Sequence, residues 1–145
     1  MTESAEHAPT ALVPTRYATE VLEFLAEEGF RPSLDDEGDV VFKYEGGWYF
    51  LVTSKEDATY FALYHLRFWS LDDAAERLRA HEAAALAHMN IRVGRITVLD
   101  DNVSASVDAY LPDDQAWRSL LMRNLSGLQA LVRAFRDSMH AQLEN

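Results

Sequence analysis

Five histidines and no cysteine limit the metal and thiol chemistry open to this chain. His81, Glu82 and His88 fall on one predicted helix, an arrangement that invites comparison with the zinc-protease helix, whose two histidines are four residues apart. Here the spacing is seven residues, which is about 10 Å along a helix, so the two imidazoles cannot reach one zinc ion. The other histidines, His7, His65 and His140, add no ligand spacing. We therefore expect no metal and no cofactor.

The residue types of a Ser-His-Asp triad occur on two predicted strands. Ser104, Ser106 and Asp108 alternate along one strand, and His65 lies on another. The sequence has neither a nucleophile elbow nor a glycine-rich oxyanion loop, and it has no phosphate loop or dinucleotide fingerprint. Outward-facing polar residues on a half-buried strand explain the alternation better. We expect no catalytic residue and interpret the chain as a non-enzyme.

The stretch from Tyr60 to Trp69 is the best candidate for a partner-binding site, because it is more apolar than expected for a strand that has one solvent-exposed face. Alternation along this stretch places Phe61, Leu63 and Trp69 on the same face as two basic side chains. Aromatic residues beside arginine are typical of interfaces. If the neighbouring strands have matching registers, five residues form one partner-binding face: Lys43, His65, Arg67, Trp69 and Arg95.

The elements that must position these residues follow from periodicity. Helices are predicted at Thr15 to Glu28, Leu71 to Met89 and beyond Pro112. Hairpins are predicted around Gly46-Gly47 and around Asp100-Asp101-Asn102, with a further short strand near residues 31–34. The expected fold is α+β, an antiparallel sheet with helices packed on one face, in the order α-β-β-β(-β)-α-β-β-α. Residues 1–14 are expected to be a disordered leader, and residues 15–145 a single domain.

Two helices carry specific expectations about burial. Glu82 falls on the apparent core side of its helix. Its position leaves three interpretations open: the helical phase is in error, the side chain reaches the rim of the core, or the buried carboxylate pairs with an arginine. The final helix carries a wide apolar stripe that has Phe135 near its centre. Together with the apolar strand Tyr60 to Trp69, this stripe suggests more apolar surface than a small domain needs, and we expect a homodimer.

The net charge of −11 excludes some classes of partner. A strongly acidic surface repels phosphate backbones and anionic lipid, so we expect no nucleic-acid partner and no membrane partner. The first 14 residues lack the apolar core of a signal peptide, and the absence of cysteine fits a reducing compartment. A cytoplasmic location is the expectation.

Several short segments together resemble one bacterial family. The run Phe24 to Phe30, the run Gly38 to Gly46 and the strand start Ile91 to Arg95 resemble the YbjN-like proteins, which are similar in fold to the type III secretion chaperones. The resemblance covers about Thr15 to Met139. It implies a non-catalytic, protein-binding module that is chaperone-like in architecture, dimeric, and able to hold a protein or peptide partner. The alternative is a small-molecule-binding domain that uses the polar sheet face.

Overall fold

The computed structural model describes residues 12–144. Within these residues, three helices and six strands follow in the order α-β-β-β-β-α-β-β-α. Residues 1–11 of the predicted leader lie outside the described part of the chain. The helices are α1 (Arg16–Glu27), α2 (Ala74–Asn90) and α3 (Trp117–Glu144). The strands are β1 (Ser33–Leu34), β2 (Val40–Tyr44), β3 (Gly47–Leu51), β4 (Tyr60–Ser70), β5 (Arg95–Val98) and β6 (Asn102–Tyr110).

All six strands join one antiparallel sheet in the order β1-β2-β3-β4-β6-β5. The turn between β2 and β3 is formed by Glu45 and Gly46, whose φ angles of 49° and 80° are both left-handed. Two left-handed residues give the turn a twist that matches the flanking strands. The turn therefore lies one residue before the predicted position, Gly46-Gly47, and Gly47 is the first residue of β3. The predicted α+β class and element order are confirmed.

The helices pack on one face of the sheet. The side chain of Thr15 caps α1 by accepting a hydrogen bond from the Ala18 amide at 3.0 Å. Buried residues of all three helices join Phe42, Leu63 and Ala105 of the sheet in one core cluster. The stripe of α3 supplies much of this core, and its most deeply buried members include Trp117, Leu121, Leu125, Leu128 and Phe135.

Helix α2 packs with a different phase from the predicted one. It buries an alanine face formed by Ala80, Ala83, Ala84 and Ala87. Small side chains allow close approach to α3, so this face is the one that packs. The predicted core side, which includes Glu82, is exposed to solvent. The core position considered for Glu82 is therefore wrong, and the cause is the helical phase.

Most of the apolar side chains from which we predicted a dimer are buried in the core of the chain itself. The α3 stripe is buried in the core, and the central strand β4 contributes Phe61 and Leu63 to the same core cluster. Within residues 12–144, no helix has both the length and the apolar character needed to cross a membrane.

Candidate functional site

A wide irregularity in β4 shapes the candidate site. His65 pairs with Ala105 and Trp69 with Val103, so three residues of β4 stand opposite the single residue Ser104. Arg67, at the centre of this bulge, has a left-handed φ of 52°. Its backbone amide donates to the Ser104 hydroxyl at 3.0 Å, so the side chain of β6 replaces the missing ladder bond.

The five residues predicted to share one face do not share one. Residues directly opposite in an antiparallel pair project from the same side of the sheet. Lys43 pairs with Trp48, and Arg95 with Ser106, and both basic residues lie on the open face. His65 and Trp69 pair with core residues and lie on the helix-packed face. The registers, which the sequence did not determine, separate the set.

Trp69, a predicted member of the partner-binding face, packs against residues of its own chain. Its ring lies 5.8 Å from that of Phe135 and 5.5 Å from that of His140, and its indole nitrogen donates to Glu76 at 3.3 Å. On the open face, Arg95 pairs with Asp108 at 3.4 Å. Both residues have partners within the chain.

The Ser-His-Asp combination is not assembled. Ser104, Ser106 and Asp108 lie on the open face, whereas His65 lies on the opposite one. Arg95 donates to the Ser106 hydroxyl at 3.2 Å, and Tyr60 donates to the Asp108 carboxylate at 3.1 Å. These polar residues bond to neighbours on the sheet, and none of them has a hydrogen bond to a histidine among residues 12–144.

A concave cleft of about 650 Å³, here called the bulge cleft, lies where three elements meet. Its sides are the turn between β2 and β3 (residues 45–49), the bulge of β4 (residues 65–68) and the middle of α3 (residues 129–140). Two of the predicted site residues, His65 and Arg67, line this cleft, together with Arg133 and Arg136 of α3. Lys43, Trp69 and Arg95 do not line it.

His65 is fixed within the cleft wall. Its Nδ1 lies 2.7 Å from the Trp48 carbonyl oxygen, and its ring stacks on Tyr49 at 4.4 Å and on Phe68 at 5.4 Å. A Cβ at Gly47 would lie 2.8 Å from the imidazole, so only glycine leaves room for this ring. Burial, with a smaller effect of the Arg136 charge, lowers the His65 pKa below its usual 6.5.

Arg136 is held over the bulge by two kinds of contact. Its Nη2 donates to the Phe68 carbonyl oxygen at 2.9 Å. Its guanidinium lies 5.4 Å from the ring centre of Phe68 and 5.8 Å from that of Trp69, within the range of cation–π attraction. These contacts leave most of its N–H donors unused, because a guanidinium carries five.

Sequence reasoning missed the contribution of α3 to the cleft. Four residues recur at spacings of four and three along one side of the helix: Gln129, Arg133, Arg136 and His140. This spacing is the same as that of the neighbouring apolar stripe, so the row was detectable as a second helical face. Its position against the β4 bulge was not detectable, because helix packing brings together residues more than 60 positions apart in sequence, as in the Arg136 bond to Phe68.

A second unusual surface runs along α2. Ala75, Leu78, Glu82, Ala85 and Met89 recur at spacings of three and four on its exposed side, with Leu86 beside them. We call this row the α2 stripe. Leu78 is 62% exposed, Leu86 49% and Met89 76%. Alternating spacings of three and four are typical of helices that pair along a seam.

The described residues contain no group of three or more His, Asp or Glu side chains placed to hold a metal ion. His88 instead accepts a hydrogen bond from the Ile96 amide at 2.9 Å and ties α2 to β5. His7 lies outside the described residues.

These observations define an α+β protein that has a mixed cationic and apolar cleft and an exposed apolar row along α2. A comparison with models of protein families gave no match to this chain, and a comparison with curated proteins gave no similar sequence.

Proposed function

We propose that this chain is a non-catalytic protein-binding module and that its first partner is a second copy of itself, docked along the α2 stripe. The main observation behind the proposal is that α2 buries its small apolar side chains and exposes its large ones. The helix packs alanines against its own core and leaves Leu78, Leu86 and Met89 exposed. Contiguous exposed apolar side chains mark interaction surfaces in soluble proteins.

The pattern of the stripe supports a second copy as the occupant. Ala75 and Met89 lie seven residues on either side of Glu82, and Leu78 and Leu86 lie four residues on either side. In an antiparallel pair centred on Glu82, each small Ala75 faces a large Met89, and each Leu78 faces a Leu86. A two-fold contact needs a self-complementary surface of this kind.

The resemblance to the YbjN-like proteins, and through them to the secretion chaperones, supports the same proposal, since it implies a dimeric module that holds a protein segment. The absence of cysteine from the sequence supports a cytoplasmic location as part of the proposal. The sequence also lacks a nucleophile elbow, a phosphate loop and a dinucleotide fingerprint.

Sedimentation equilibrium of the full chain tests the proposal. We expect a dimer of the 16.4 kDa chain for the parent and a folded monomer for the double variant Leu78→Lys/Leu86→Lys. Leu99→Lys is the matched control, because Leu99 is 46% exposed and lies outside the stripe. A parent that stays monomeric at concentrations well above micromolar would overturn the proposal, as would a double variant that dimerises like the parent.

The second candidate function is small-molecule binding, and the bulge cleft is the observation that favours it. A cleft of about 650 Å³ lies within the size range of small-ligand sites, which is roughly 300–1,000 Å³. The sequence suggested the polar sheet face as the pocket. The cleft instead uses the edge of the bulge and α3.

A further inference from the structure

We propose that the bulge cleft binds a small molecule that carries an oxyanion, either a carboxylate or a phosphate, on an apolar body. This inference does not depend on self-association, since the α2 stripe contributes no residue to the cleft. It rests on the charges that line the cleft, on the contacts that hold Arg136, on the position of Arg67 at the bulge and on the apolar wall of the cleft.

The local charge of the cleft is opposite to that of the whole protein. Arg67, Arg133 and Arg136 line it, although the chain has 24 acidic and only 13 basic residues. Ion pairs between described side chains elsewhere in the chain include Arg16–Glu20, Arg95–Asp108 and Arg118–Glu20. None of the three cleft arginines pairs with a described carboxylate, although Glu45 and Asp137 lie at the same cleft. Their charges are therefore available to an anion from solution.

Arg136 is held by contacts of its guanidinium, and the backbone of Arg67 is held at the bulge by a hydrogen bond to Ser104. Arg136 donates to the Phe68 carbonyl and lies over two aromatic rings, which restricts its guanidinium before any ligand arrives. Arg67 occupies a left-handed backbone conformation at the centre of a bulge. Bulges of this kind redirect side chains and are frequent beside functional sites. Pre-positioned guanidinium groups favour oxyanions, because two parallel N–H donors match two oxygen acceptors.

The apolar side of the cleft indicates more than a bare inorganic ion. Leu66, which is 47% exposed, and Phe68 line it together with the buried Val132. The cleft volume also exceeds what one phosphate group would fill. An aromatic or aliphatic body can cover this apolar surface while its oxyanion contacts the arginines. The overall charge of −11 repels long polyanions, which favours a small ligand over nucleic acid.

Isothermal titration calorimetry and amide NMR with four probes test the inference: inorganic phosphate, phenyl phosphate, benzoate and neutral benzamide. We expect phenyl phosphate or benzoate to bind and to shift resonances of the bulge and of α3. Inorganic phosphate should bind more weakly because it lacks the apolar body, and benzamide should not bind. Comparison of phenyl phosphate with benzoate decides between a phosphate and a carboxylate ligand.

Two substitutions and a matched control locate the site. Arg133→Gln, and Arg67→Asn, which keeps a residue that tolerates the left-handed backbone, should each weaken binding at least about tenfold. Arg123→Gln removes the same charge from an exposed α3 position outside the cleft and should bind like the parent. The monomeric Leu78→Lys/Leu86→Lys variant should also bind normally. Equal binding of benzamide and phenyl phosphate, unchanged affinity in both cleft variants, or no binding of either charged aromatic probe would overturn the inference.

Discussion

The Nδ1 atom of His65 lies 2.7 Å from the backbone carbonyl oxygen of Trp48, and this contact joins the central strand β4 to the hairpin strand β3. A carbonyl can only accept a hydrogen bond, so Nδ1 carries the proton and donates it. In the neutral imidazole, Nε2 is then an unprotonated acceptor. The contact fixes both the orientation and the tautomer of the ring that forms one wall of the bulge cleft.

This histidine should make the stability of the fold depend on pH. Burial lowers the His65 pKa below the usual 6.5, so the unfolded chain binds a proton more readily than the folded chain does. The contribution of His65 is therefore fully present above about pH 6.5 and is lost as the pH falls toward the folded-state pKa. Urea unfolding curves between about pH 8 and about pH 5.5 should show this loss.

The variant His65→Asn separates this effect from other titrations. Its side-chain amide can donate to the Trp48 carbonyl but does not titrate, so its stability should fall less than that of the parent over the same range. His81→Gln, on the exposed side of α2, is the control and should follow the parent. Parallel curves for the parent and His65→Asn would show that the His65 pKa is not lowered by folding.

Gly47→Ala should destabilise the protein by about 1–3 kcal/mol, as overpacking of a dense site does. The added Cβ would lie 2.8 Å from the Cε1 of His65, so the ring or the strand must move. Gly46→Asn is the comparison, because that position has open space around it and a left-handed φ that asparagine tolerates. Chemical denaturation measures both, and equal stability of Gly47→Ala and the parent would mean that the His65 ring is not held where the structure places it.

Phe135→Ala should cost about 3–5 kcal/mol of unfolding free energy, which is typical of a truncated buried phenylalanine. Phe135 is fully buried, and its ring contacts those of Phe68 and Trp69 edge-on at 5.4 Å and 5.8 Å. Ser126→Ala, at an exposed position of the same helix, should change stability by less than about 0.5 kcal/mol. A denaturant series that ranks the two variants equally would contradict the packing of α3.

Glu82→Leu should strengthen self-association. In the proposed antiparallel pair, the two Glu82 carboxylates approach each other near the two-fold axis, and their repulsion weakens the dimer. Removing the charge and adding an apolar side chain should lower the dimer dissociation constant measured by sedimentation equilibrium. Glu82→Gln removes only the charge and should give an intermediate effect. Weaker association in either variant would show that the copies do not pair about Glu82.

Local sequence patterns were sufficient to predict the helices, the order of the elements and part of the core. Helix α1 lies within the predicted range Thr15 to Glu28, the order of elements is the predicted one, and the apolar period of α3 identified Phe135 as core. Each of these features depends on residues close together in the chain. Capping and helical periodicity are local properties, so they can be inferred without knowing what packs against them.

Tertiary structure decided the features that depend on contacts between distant segments. The phase of α2 followed from the fit of its alanine face to α3, although the leucine face is more apolar. The bulge at Arg67 depends on how many residues of β4 stand opposite Ser104, and alternation along one strand cannot reveal a change of register relative to its neighbour. The bulge cleft brings β4 against α3, almost 70 residues later in the chain. The sequence determined which elements form and which residues are apolar, whereas packing decided which faces meet, because the energy of close packing is gained only when both surfaces are present.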